Sequence, residues 1–72
     1  MTTYPLTLSK AAINTYIKSC QSQASIARIM YDEEINRCKV ETTGRLSDRE
    51  LDYLTFILMS DKPCCKIEIY EF

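Results

Sequence analysis

The sequence predicts an α+β fold, mainly helical, in which two or three helices carry short N- and C-terminal strands that pair in a small sheet. Three observations lead there. From Lys10 to Thr43 there is no Gly or Pro, and apolar residues recur at helical spacing. A complete helix-start signal stands at Ser47 to Glu50. At both ends of the chain, apolar and polar residues alternate with period two.

The first stretch, "TYPLTL", sets Tyr4, Leu6 and Leu8 against Pro5 and Thr7, the pattern of a short strand that Pro5 confines to a sheet edge. Ser9 then offers an N-cap, with Leu8 before it packing on Ile13 as a hydrophobic staple. Beyond this start, Ile13, Ile17, Cys20, Ala24, Ala27, Tyr31 and Cys38 follow steps of four and three, with Glu34 as the misfit. Taken as continuous, that stripe is one helix of about 30 residues and about 45 Å. A compact domain of this length is about 30 Å across. Either the chain breaks at Ser19 to Ser22, with Ser22 capping a second helix, or one helix overhangs and packs against another subunit. The cap residues favour the break. "SQASIARIM", Ser22 to Met30, then has the polar start and spacing of the first helix of a helix-turn-helix.

Gly44, the only glycine, marks a turn. Ser47 and Glu50 form an S-x-x-E capping box, and Leu46 with Leu51 forms the matching staple. The helix runs through "LDYLTFILMSD", where Leu51, Tyr53, Leu54, Phe56, Ile57, Leu58 and Met59 leave little polar face, and Pro63 stops it. So apolar a helix is central in the core or shared with a partner. Last, "CCKIEIYEF" alternates Cys65, Ile67 and Ile69 with Lys66, Glu68, Tyr70 and Phe72, a terminal strand. With no repeat, low-complexity tract or linker, residues 1–72 read as a single small globular domain.

Composition narrows the function classes. The chain is 46% apolar and 26% charged, too apolar for a disordered segment. Nine basic against ten acidic residues leave a net charge of −1, so no long-range field draws it to nucleic acid or an anionic membrane. No apolar run approaches the roughly 18 residues of a membrane span, and "MTTYPLTLSK" lacks the features of a signal peptide. A cytoplasmic protein is expected, with Cys20, Cys38, Cys64 and Cys65 as reduced thiols. Their wide spacing and the absence of histidine argue against a zinc site, and no cofactor is expected.

Catalysis is hard to build without a histidine base, a nucleophile elbow or a phosphate-binding glycine loop. Lys62 and Lys66 beside Cys64 and Cys65 raise the idea of a reactive thiol, although these read more simply as strand-end residues. Asp48, Glu50 and Asp52 suit the first turns of a helix, and Asp32, Glu33 and Glu34 suit a solvated face.

For DNA reading, the turn position after Ala27 that calls for glycine holds Tyr31, and "DEEINRCK" opens with three acids where phosphates would be met. Those acids offset Arg28, Arg37, Lys39 and Arg45. A dimeric helix-turn-helix-like DNA-binding regulator is therefore the alternative reading. The leading one is a non-enzymatic protein-binding regulator or inhibitor that acts on a larger host protein or complex. Accessory proteins that phages and mobile elements use against host defence or transcription are of this kind. Its expected contacts are Arg28, Tyr31, Arg49, Tyr53, Phe56, Tyr70 and Phe72, because Tyr and Arg are enriched among interface hot spots.

Overall fold

A computed structural model describes residues 2–72 and shows two helices on a four-stranded sheet, with strand nearly as abundant as helix. The mainly helical expectation is thus corrected. In chain order the elements are β1 (Thr3–Pro5), α1 (Thr7–Ser19), β2 (Ser25–Asp32), β3 (Arg37–Thr43), α2 (Asp48–Asp61) and β4 (Lys66–Glu71). The sheet runs β1-β2-β3-β4; the first two pairings are antiparallel and the third is parallel, with α2 as its crossover. The terminal strands therefore lie at opposite edges and do not pair with each other.

The largest correction falls on Ser22 to Met30, whose main part is strand β2 and not a helix. Its buried residues are Ile26, Ile29 and Tyr31, a step of three and then of two. The irregular step is a β-bulge between Ile26 and Arg28, which leaves Ala27 as the extra residue. One inserted residue makes a strand imitate helical spacing. In β3 the alternation is regular, with Cys38, Val40 and Thr42 buried between Arg37, Lys39 and Glu41. The hairpin turn joining the strands ends on Asn36 at φ 51°, a left-handed conformation that Asn tolerates. There Asn36 accepts from the Tyr31 hydroxyl and donates to the Pro63 carbonyl.

Helix α1 starts at Thr7, ahead of the expected cap, and Leu6 at its N-cap supplies no side-chain bond. Ser9 is buried inside the helix and donates to the Asp61 carboxylate at 2.8 Å. Leu8 is 88% exposed, so it is no staple. The helix stops at Ser19, within the stretch where a break was expected, and Gln21 turns the chain at φ 59°. The next element is strand β2, so neither a second helix nor an overhanging one forms. The molecule measures 35 × 22 × 18 Å.

Helix α2 begins as the sequence indicates. The Ser47 N–H donates to Glu50 Oε1 at 2.8 Å, and the Glu50 N–H donates to Ser47 Oγ at 3.3 Å. Gly44 before it sits at φ 86°, which favours glycine. Both helices cover one face of the sheet. Ile13 and Ile17 from α1 and Leu54 and Leu58 from α2 meet Ile26, Ile29, Val40 and Cys38 there. Lys62, just past α2, closes one end of this core with its ammonium 4.9 Å from the Tyr31 ring and 5.3 Å from the Tyr4 ring. Among the described residues, no helix is long and apolar enough to cross a membrane.

Candidate functional site

The residues expected to make contacts divide among three places. Tyr31 is in the core, packed edge-on against Tyr4 at 5.6 Å. Arg28 and Tyr70 project from the open face of the sheet. There Arg28 forms a two-pronged ion pair with Glu41 (2.8 and 3.0 Å), and Lys39 lies 5.0 Å from the Tyr70 ring. Phe72 follows β4 and is 78% exposed. Arg37 also pairs across this face, with Glu68 at 3.2 Å. On this face Arg28 and Arg37 are paired with acids, while Lys39 lies against a ring and Lys66 is exposed.

Arg49, Tyr53 and Phe56 are brought together on α2, beside the seam with α1. Tyr16 of α1 stacks on Tyr53 with centroids 4.0 Å apart and planes 11° from parallel, and Phe56 lies 6.5 Å from Tyr53. The stack joins the end of α1 to the start of α2. The Ser9 to Asp61 bond joins the start of α1 to the end of α2, so the helices run antiparallel.

Cavities flank the stack. One, of about 350 Å³, is lined by Leu8, Ala12 and Ile57 with Ser9, Ser60 and Asp61 around them. The other, of about 670 Å³, is open, is bounded about equally by polar and apolar atoms, and is lined by Tyr16, Ser19, Cys20, Ser22, Ser47, Arg49 and Glu50. The seam thus presents an apolar pocket, an aromatic step and a charged recess in a row. Phe56 is 64% exposed, and Leu8 stands free beside the apolar pocket. Sequence reading found Arg49, Tyr53 and Phe56 but missed Leu8, Ala12, Tyr16 and Ile57. Leu8, Ala12 and Tyr16 are spaced by four and mark one face of a helix.

Glu50 is the charged group held deepest at the recess. Its carboxyl stays below the usual carboxylate range chiefly because the Ser47 backbone N–H donates to it, with Ser22 adding a smaller effect. Oε1 carries the capping bond, while Oε2 is buried with no hydrogen bond of standard geometry to the protein. Tyr16 is raised above its ordinary value, first by desolvation and then by the neighbouring Cys20. These groups suit a helix cap and a recess rim. Among the described residues, no three His, Cys, Asp or Glu side chains stand together as a metal site requires.

The four cysteines behave as two kinds. Cys38 and Cys65 are buried with sulfurs 3.5 Å apart, and Cys20 and Cys64 are exposed. Burial and the Cys65 contact push the Cys38 thiol up to about 12. No protein family, curated protein or solved structure matches this chain, so the functional reading rests on the geometry of the seam.

Proposed function

We propose that the chain is a non-enzymatic protein-binding module, a small regulator or inhibitor that docks on a larger protein through the α1/α2 seam. The observation that carries this reading is the row formed by Leu8, the pocket over Ala12 and Ile57, the Tyr16–Tyr53 stack and Phe56. Aromatic and aliphatic groups held in a fixed row, with Arg49 and Asp61 at its ends, have the make-up of an interface centre with a polar rim. The rings are set in advance by stacking, so little side-chain entropy is lost on binding. The shallow, open depression over Ala12 and Ile57 offers apolar surface against which a partner's side chain can lie.

Leu8 and Phe56 are exposed in the isolated chain, so changing them leaves the fold intact to within about 0.5 kcal/mol. The test is capture from host lysate, with nuclease added to half of each sample, by the tagged wild type and by the double variant Leu8→Glu, Phe56→Glu. We expect wild type to retain a stoichiometric protein that the variant loses by tenfold or more. Equal retention by both, or retention of nucleic acid alone before nuclease, would overturn the seam.

A further inference from the structure

The two edges of the sheet are not alike. Strand β1 has three residues and includes Pro5, a protected edge. Strand β4 has six residues, no proline, and an unbroken register with β3. Its hydrogen bonding can be assigned residue by residue. Lys66 N–H donates to the Asn36 carbonyl at 2.9 Å, Phe72 N–H donates to Thr42 at 2.9 Å, and the Phe72 carbonyl accepts from Gly44 at 3.0 Å. In a parallel ladder the residues facing the neighbouring strand alternate, so Lys66, Glu68, Tyr70 and Phe72 turn their polar backbone groups to β3. Those of Ile67, Ile69 and Glu71 point outward along a free edge.

The core is also open there. Ile69 lies beside Val40 in the register, yet it is 37% exposed while Val40 is fully buried. Tyr53 and Ile57 of α2 are turned toward α1, by the ring stack and the apolar pocket, so they leave this edge uncovered. An unpaired edge beside a half-covered isoleucine invites another strand.

We propose that the occupant is a second copy of this chain, with two β4 strands pairing antiparallel about a twofold axis at Ile69. Three features fit a copy better than an unrelated strand. First, this register sets Ile69 against Ile69 and Ile67 against Glu71 in both directions, so every outward group of one β4 meets an outward group of the other. Three hydrogen-bonded pairs give about six bonds. Second, this register sets Lys66 opposite Phe72 and Glu68 opposite Tyr70 on the open face, so no like charges oppose one another and the exposed Phe72 ring gains a cationic neighbour. Third, the contact of Ile69 with its own copy covers the side chain left half-open in each subunit.

The product is one continuous sheet of twice four strands. A twofold axis perpendicular to that sheet puts both helical layers on the same side. The contact does not depend on what the α1/α2 seam binds.

The test uses the whole chain and two independent readouts. Sedimentation of wild type across a concentration series should approach twice the monomer mass of 8.4 kDa. Ile69→Pro removes an outward N–H and no bond to β3, so we expect a folded monomer, with circular dichroism as the check on folding. A crosslinking series guards against a variant that fails to fold. In a Cys20→Ser, Cys64→Ser background, Ile69→Cys should give a disulfide-linked dimer on mild oxidation, since opposed residues lie about 5.5 Å apart at Cα. Ile67→Cys should not, because its copy is four residues away along the strand, about 14 Å. A wild type that stays monomeric throughout the series, or a dimer that crosslinks equally well at position 67, would overturn the proposal.

Discussion

Cys38 shows most directly how burial decides chemistry at a single residue. Its thiol is raised to about 12, so the folded chain keeps the proton where an unfolded thiol, near 8.5, would release it. The stabilisation from neutral Cys38 is therefore complete below about pH 8.5 and is lost as pH rises through about 12. We expect two of the four thiols, Cys20 and Cys64, to react with a thiol reagent near pH 8 in the native protein, and all four after unfolding. Mass spectrometry of labelled protein reads the count; native labelling of Cys38 would contradict its burial. Tyr31 owes its place to the same effect. As an aromatic residue near a cation it reads equally well as a hot spot or as core, and the fold puts it in the core under Lys62. Burial is a property of the assembled layers, and the neighbourhood in sequence does not contain it.

Strand and helix compete most visibly in the stretch from Lys10 to Thr43. Helix α2 and strand β4 were legible because a capping box and a regular alternation are local signals. The segment Arg37–Thr43 carried an equally clear alternation, which the longer helical stripe concealed. In β2 the bulge at Ala27 turned period two into a helix-like step, and no turn glycine flagged the hairpin because Asn36 supplies the left-handed residue. Pairs Ile26–Thr42 and Arg28–Glu41 are adjacent on β3 and are separated only by Ala27 on β2. Deleting Ala27 should therefore leave both pairs in place and make β2 a regular strand. We expect the variant to keep the wild-type far-ultraviolet circular dichroism and a cooperative melt. Loss of the folded signal would mean that the bulge is required for the sheet to form and is not a tolerated insertion.

At the scale of the whole molecule, 72 residues divide into one sheet face covered by two helices and one left open. The covered face builds the core. The open face carries the ion pairs Arg28–Glu41 and Arg37–Glu68 together with Lys39 and Lys66. Exposed apolar side chains lie at the β2–β3 turn (Ile35), along β4 and its end (Ile69, Tyr70, Phe72) and on the outer side of the helix layer, where the seam through Leu8, Tyr16, Tyr53 and Phe56 gathers them beside a ring stack. Half of that seam was legible as the apolar run in α2. The other half was hidden because the position of α1 across the sheet, antiparallel to α2, is a tertiary fact. Two copies joined at β4 would present two seams on one side, and a partner with two sites would then be held with the added strength of bivalent attachment. The most direct measurement of the binding claim is site-specific photo-crosslinking in host lysate, with a photoreactive phenylalanine analogue placed at Phe56 or, separately, at Arg28. We expect a discrete protein adduct from position 56 and none from position 28. Adducts from position 28 alone would move the interface to the open sheet face and contradict the seam.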